Sequence, residues 1–137
     1  LAMGGDISHD PAYAEMGIVP VELSPEAQKD ALFGSLSSSV PVCSGHNDHV
    51  ARLPAGVTPF ARGELVENQA FKVDGAPFWA SQFHPELTKA DLIIRWNFYR
   101  DVFTTDVDEI AATDAVLDAA PETPEVNGLI RALLSLS

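Results

Sequence analysis

Apolar residues occur in short, strand-like runs up to about residue 84 and recur with a helical period beyond residue 88. Short β-branched runs bounded by glycine, proline or serine predict strands at 17–24, 38–44 and 57–63. A longer apolar stretch, residues 67–84, is divided by Asp74-Gly75, a turn pair that indicates a hairpin. Residues 26–36 predict one or two helical turns that end at Gly34, and 45–50 read as a loop.

The second half of the chain has a helical period. Thr88 is a suitable cap for a helix over 88–103, whose apolar positions recur in steps of three and four at Leu92, Ile93, Trp96, Tyr99 and Phe103. Two more amphipathic helices are predicted at 104–120 and 124–137, separated by the segment PETP. We therefore expect an α/β domain over 1–103 and a helical extension over 104–137.

Charge and cysteine content narrow the class of protein. The formal net charge is -12, and no cluster of lysine or arginine interrupts it, so nucleic acid and anionic membranes are poor partners. One cysteine cannot form an internal disulfide, and the sequence has neither a signal peptide nor an apolar span of membrane length. A cytoplasmic protein is the expectation.

The segment SQFHPELT, residues 81–88, is the strongest candidate for chemistry. His84 stands where the last predicted strand ends, which is where α/β sheets place their functional groups, and Glu86 follows two residues later. A carboxylate beside a histidine can hold the imidazole in one tautomer and stabilise its protonated form. Taken alone, the tripeptide is more often only a strand end with a surface acid.

Several segments resemble class I, triad-type glutamine amidotransferases, in that family's order and at similar spacing. SQFHPELT resembles the QFHPE signature, and LAMGGDI resembles the end of the helix that follows the nucleophile turn. EMG before VPVEL, KDALFGSL and GHNDHVARLPAG resemble three further segments, so that the resemblance covers roughly residues 1–100. It extends to the GMP-synthetase-like members, whose His-x-Asp-x-Val loop is mirrored by His46, Asp48 and Val50.

The resemblance implies a fold and an activity. The implied fold is the flavodoxin-like three-layer α/β architecture, of which the chain holds the C-terminal part. The implied reaction is hydrolysis of the glutamine side-chain amide to glutamate and ammonia by a Cys-His-Glu triad, with His84 as general base and acid and Glu86 as its orienting carboxylate. It implies no cofactor and no metal. A synthetase domain or subunit would accept the ammonia. Hydrolysis of another γ-glutamyl compound is an alternative activity, and a homo-oligomer is a possible assembly.

The nucleophile of that triad is expected upstream of this chain. In the family a Gly-x-Cys-x-Gly turn precedes the helix that LAMGG resembles, Leu1 is not an initiator methionine, and the glycine pair is typical of a helix end. Cys43 is a poor substitute, because Pro41 stands where the family has glycine and no helical pattern follows. We expect Cys43 to be a half-buried strand thiol and the chain alone to be inactive.

The segment from His46 to Asp48 is the candidate substrate-binding loop. In the family it lies beside the nucleophile and holds the amino-acid end of glutamine, partly through backbone groups, which assigns His46, Asn47 and Asp48 a binding role by resemblance. A turn stabilised by its own Asn and Asp side chains explains the same residues equally well.

Two alternatives come from other functional classes. If they converged, His46, Asp48, His49, His84 and Glu86 would supply the imidazole and carboxylate ligands of a metal site. The second alternative is a non-catalytic binding or assembly subunit, which would use the apolar stripe of the helices beyond residue 103. Such a stripe more often packs on its own domain.

Overall fold

The computed structural model describes residues 3–136 and places helices on both faces of an antiparallel sheet. Its strands are β1 (Asp6–Ser8), β2 (Glu15–Leu23), β3 (Ser39–His46), β4 (His49–Arg52), β5 (Val57–Gly63), β6 (Ala70–Val73) and β7 (Trp79–Ser81). Its helices are α1 (Lys89–Phe103), α2 (Val107–Ala119) and α3 (Pro124–Ser135), and single 3-10 turns lie at Pro11–Tyr13, Ala27–Lys29 and Phe33–Ser35.

The main sheet has the strand order β3-β2-β5-β6-β7, and β1 pairs separately with β4. β2 and β3 form the longest ladder, which runs from Glu15 opposite His46 to Glu22 opposite Ser39. The predicted hairpin at Asp74-Gly75 joins β6 to β7, and Gly75 has the positive φ of 70° that such a turn favours. Every strand pair among residues 3–136 is antiparallel.

The alternation of side chains along β3 separates two apolar clusters. Val40 and Val42 face one side, where they pack with residues that include Val126 and Leu129 of α3. Cys43 faces the other side, where it packs with Leu92, Trp96 and Leu117 of α1 and α2. Leu117 of α2 and Val126 and Leu129 of α3 thus pack on this chain's own sheet, whereas Val107 and Leu133 of the same helices are exposed. The boundary predicted at residue 103 stays a prediction.

Helix α1 begins where its sequence predicts. The Thr88 side chain accepts from the Asp91 backbone N–H, and the Asp91 carboxylate accepts from the Thr88 backbone N–H, which forms a capping box. The predicted apolar face is correct for Leu92 and Trp96, which are buried, but Tyr99 and Phe103 are about half exposed. The buried face of α1 is therefore narrower than its pattern indicates.

Two local expectations differ from the structure. Residues 26–36 form two separate 3-10 turns instead of a helix, because the Asp30 carboxylate accepts from the backbone N–H groups of Leu32 and Phe33 and starts a new turn. The expected loop 45–50 is mostly strand, because β3 continues through His46 and β4 pairs with β1. Only Asn47 and Asp48 separate the two strands.

The proposed helix end covers residues 1–5, of which residues 1 and 2 lie outside the described residues. Gly4 is described and has a φ of 89°, the left-handed conformation that a helix-terminating glycine adopts. Among the described residues no helix is long and apolar enough to cross a membrane.

Asp30 connects the two 3-10 turns to β6 and β7 by hydrogen bonds. Its side chain is 4% exposed and accepts from Lys72 Nζ at 2.6 Å and from Trp79 Nε1 at 3.0 Å, besides the two backbone N–H groups. Burial alone would raise the pKa of Asp30, but these hydrogen bonds outweigh it and hold the pKa below its ordinary value.

We expect Asp30→Asn to lower the free energy of unfolding at neutral pH by about 1–2 kcal/mol, because the bonds to a charged acceptor become bonds to a neutral one. Since the folded-state pKa is depressed, the contribution is present above the unfolded pKa of about 4 and is lost as pH falls through the folded pKa. Urea unfolding at pH 7 and pH 3.5 measures both effects. Asp101→Asn, an exposed carboxylate on α1, is the control; equal acid sensitivity in wild type and Asp30→Asn would contradict the expectation.

Candidate active site

His84 is held in place by backbone hydrogen bonds on both sides. After β7 the backbone bonds first to the residue before β6 and then to β3. The Gln82 N–H donates to the Gln69 carbonyl at 2.8 Å, and the His84 N–H donates to the Cys43 carbonyl at 2.8 Å. The turn that follows is fixed by Asn127 of α3, whose Nδ2 donates to the carbonyls of Pro85 and Leu87. The histidine therefore stands on a fixed segment beside β3.

The two residues predicted to act together are in contact. His84 Nδ1 lies 2.8 Å from Glu86 Oε1, and the two side chains are 28% and 54% exposed. Because an ionised carboxylate only accepts, this contact places a proton on Nδ1 and leaves the Nε2 lone pair available to take a proton from another group. The geometry is that of a base with its orienting acid.

The His84 side chain lines a cleft of about 230 Å³. The cleft lies between the ends of β2 and β3 and the exposed side of α1, and its lining also includes Met16, Gly45, Leu87, Leu92, Arg95, Tyr99 and Phe103. An adjoining cleft shares Met16, Gly45 and Phe103 and is lined by His46 and Asn47. The two groups of residues predicted from the sequence thus border neighbouring clefts.

The candidate binding residues have different surroundings. His46 is the last residue of β3, and its side chain is 6% exposed and lies 2.9 Å from Glu15 Oε2. Asn47 is exposed, and Asp48 forms an exposed ion pair with His9 at 2.9 Å. Backbone carbonyls of this segment accept from two side-chain amides, Gln82 to Asp48 and Asn68 to Val50. The side chain of His46 is therefore buried against Glu15, and the exposed part of the segment is the turn at Asn47 and Asp48.

Cys43 has the position expected of a strand thiol, and it is more deeply buried than predicted. It is fully buried in β3, its Sγ donates to the Leu87 carbonyl at 3.5 Å, and it lies 3.9 Å from Thr123 Oγ1. Burial raises the pKa of the Cys43 thiol, and the carboxylates of Asp91, Glu122 and Glu86 raise it further. Such a thiol is a poor nucleophile at neutral pH.

The residues of the alternative metal site do not converge. Within residues 3–136 no group of three or more His, Cys, Asp or Glu side chains could hold a metal ion. His46 is engaged by Glu15, Asp48 by His9, and His84 by Glu86.

Two contributors were missed by sequence reasoning. Asn127 fixes the turn after His84, although it lies 42 positions from Pro85 and its sequence pattern indicates only a helix. Glu15 begins β2 and holds His46, Ser44 and Gln69 by hydrogen bonds. For Glu15, the only available sequence signal was its position in the segment EMG, as an acidic residue where an apolar strand begins.

Sequence comparison finds partial matches to glutamine-hydrolysing enzymes. A glutamine-hydrolysing GMP synthase of Thermotoga petrophila is 38% identical over 85 residues, which is 62% of this chain and 16% of the relative. A separate subunit of the glutamine-hydrolysing GMP synthase of Methanosarcina acetivorans is 31% identical over 90 residues, 64% of this chain and 44% of the relative. No protein-family model matches the chain.

The structure of a glutamine amidotransferase from Thermotoga maritima aligns with 98% of this chain at a TM-score of 0.73 and 23% identity, and the match covers 55% of that structure. These partial matches support a class I glutamine amidotransferase domain. The predicted fold class is confirmed, since the chain aligns over nearly its whole length with this structure and its α/β arrangement is consistent with the flavodoxin-like fold. The chain spans less than half of the length of either sequence relative.

Proposed function

We propose that the complete protein containing this domain hydrolyses the side-chain amide of glutamine to glutamate and ammonia, with His84 as general base and acid. The contact between His84 Nδ1 and Glu86 Oε1 beside a cleft carries the proposal. It is supported by the partial likeness to relatives whose names describe them as glutamine-hydrolysing.

In each half of the proposed reaction, His84 takes up one proton and then gives it to another group. A cysteine gives its proton to Nε2, and its sulfur adds to the amide carbon. Nε2 then protonates the amide nitrogen as the carbon–nitrogen bond breaks, and ammonia leaves. Water then attacks the glutamyl thioester while Nε2 takes a proton from it, and this proton returns to the departing thiolate as glutamate forms. Glu86 stays ionised throughout and stabilises the imidazolium that forms twice.

The attacking cysteine of this proposal is not Cys43. Cys43 is the one cysteine among the 137 residues, and it is fully buried on the face of β3 that packs against α1 and α2. We therefore assign the nucleophile to a Gly-x-Cys-x-Gly turn outside this chain, and we expect the isolated chain to be inactive.

The turn at Asn47 and Asp48 is the proposed contact for the amino-acid end of glutamine. Its backbone is fixed by the amides of Gln82 and Asn68, so its polar groups are held in place before any ligand arrives. It also adjoins the cleft that contains His84, through the shared residues Met16 and Gly45.

The proposal includes a partner for the ammonia and a cellular location. One relative is named as one of the subunits of a GMP synthase, so a synthetase subunit or domain is the proposed acceptor of ammonia. A single, buried cysteine suits a reducing compartment, which supports a cytoplasmic location.

Glutamate release by the complete protein tests the proposal directly. Glutamine and a γ-glutamyl dipeptide are supplied separately, with glutamate measured enzymatically and ammonia measured in the glutamine reaction. Equimolar glutamate and ammonia from glutamine supports the proposed reaction. Turnover of the dipeptide alone would assign the site to another γ-glutamyl compound, and no turnover of either would favour a non-catalytic role.

A further inference from the structure

We propose that Glu15 is a positioning residue whose buried carboxylate fixes the turn at Asn47 and Asp48 through His46 and thereby sets the affinity for glutamine. This inference rests on the proposed function, because it concerns how the same site holds its substrate. Glu15 itself has no direct contact with the reacting atoms in this scheme.

One oxygen of Glu15 is the acceptor for three side chains. Glu15 Oε2 lies 2.7 Å from Gln69 Nε2, 2.9 Å from His46 Nε2 and 3.2 Å from Ser44 Oγ. The Glu15 side chain is 7% exposed, and Ser44 and Gln69 are fully buried. The carboxylate therefore links β2 and β3 with Gln69, which immediately precedes β6, at the end of the sheet nearest the clefts.

Burying a carboxylate is unfavourable unless hydrogen bonds replace the lost water, so three donors at one oxygen indicate a site built around this charge. Gly63 contributes to that arrangement, since a Cβ at this position would come within 3.0 Å of Gln69 Nε2. A network needed only for stability could end anywhere in the core. One of the three groups bonded to Glu15 belongs to His46, the residue immediately before the proposed binding turn.

The turn has two kinds of support, and Glu15 controls one of them. On the β4 side, Gln82 and Asn68 donate directly to backbone carbonyls at Asp48 and Val50. On the β3 side, the side-chain restraint on His46 is its contact with Glu15. Loss of the Glu15 charge therefore weakens the side-chain restraint on His46, whose backbone stays paired with β2, while the other end of the turn stays fixed.

Apart from the bond of the Gln82 N–H to the Gln69 carbonyl, the supports of His84 lie outside this network. Its backbone N–H donates to the Cys43 carbonyl, its ring contacts Glu86, and the following turn is fixed by Asn127. A change at Glu15 should therefore alter the binding of glutamine without altering proton transfer, which appears as a higher KM at an unchanged kcat.

The test is Glu15→Gln in the complete protein, because the amide retains the volume of the side chain and one acceptor oxygen. Bonds to a neutral acceptor are weaker than bonds to a charged one, so we expect KM for glutamine to rise about fivefold with kcat within about twofold of wild type. The matched control is Glu22→Gln, the same substitution on the same strand at an exposed ion pair with Arg62. It should leave both constants unchanged.

His46→Leu and the double variant show whether Glu15 acts through His46. If it does, the double variant should have about the KM of the worse single variant, because both changes release the same restraint. Thermal unfolding midpoints are measured in parallel. A lower midpoint with an unchanged KM in Glu15→Gln, or effects on KM that multiply in the double variant, would overturn the proposal.

His84→Ala in the same assay separates this inference from the proposed function. If His84→Ala abolishes turnover and Glu15→Gln leaves KM unchanged, only the positioning role is wrong. If His84→Ala keeps full turnover, only the role of His84 as the base is wrong. If the wild-type protein releases no glutamate from glutamine, the proposed function is wrong, and the positioning role is wrong with it.

Discussion

Replacing His84 by alanine in the complete protein should lower kcat for glutamine hydrolysis by about 10²- to 10⁴-fold, the range expected for loss of a general acid-base group. The substitution removes the Nε2 atom that, in the proposed mechanism, accepts the proton of the nucleophile and returns it to ammonia. KM should change little, because the backbone of residue 84 keeps its hydrogen bond to the Cys43 carbonyl. Steady-state glutamate release measures both constants.

Three comparisons make this result specific to the base. Glu86→Gln should cost less than His84→Ala, because the amide can still accept from Nδ1 although it no longer stabilises the imidazolium. Added imidazole should restore part of the activity of His84→Ala. Asn97→Ala, at an exposed position on α1, should behave as wild type. Near wild-type turnover by His84→Ala would exclude the triad.

The sequence was informative wherever one local signal determined the structure. Thr88 and Asp91 are three residues apart and form the cap that starts α1. Asp74-Gly75 turns the chain between β6 and β7, and the spacing of His84 and Glu86 lets their side chains meet across Pro85. Each of these features depends on residues within a few positions of one another.

Features that depend on distant pairing could not be predicted in this way. The strand His49–Arg52 exists because it pairs with Asp6–Ser8, about 45 residues earlier, and nothing in the segment HVAR distinguishes it from a loop. The burial of His46 depends on Glu15, 31 residues away. The family resemblance assigns the segment around His46 a contact with substrate, which stays a prediction, whereas no local pattern predicted that the His46 side chain is buried against Glu15.

The same limit applies to the face of a helix. Leu92 and Phe103 belong to one predicted apolar stripe, but Leu92 is 2% exposed and Phe103 is 51% exposed. The sequence period predicts which side of α1 each side chain lies on. How much of that side is buried depends on the packing of α2 against α1. Phe103 instead lines both clefts.

Cys43 should resist a glutamine-analogue electrophile in the 137-residue chain, with modification of the native chain at least about 100-fold slower than that of the same chain unfolded in urea. Two physical reasons combine. The thiol is fully buried, so a reagent reaches it only when the structure opens. Burial also raises its pKa, so little of the reactive thiolate is present at neutral pH.

Intact-mass measurement over time gives the two modification rates, and iodoacetamide in urea verifies that the cysteine reacts once it is exposed. Cys43→Ser identifies the modified residue, and its hydroxyl can donate to the Leu87 carbonyl as the thiol does. In the complete protein Cys43→Ser should keep kcat within about twofold, because the proposed nucleophile lies elsewhere and only the packing beside Leu92 and Trp96 changes. Fast labelling of the native chain that disappears in Cys43→Ser would contradict this expectation and make Cys43 the nucleophile. In that case β3 would have to open toward the His84 cleft for the sulfur to reach its base.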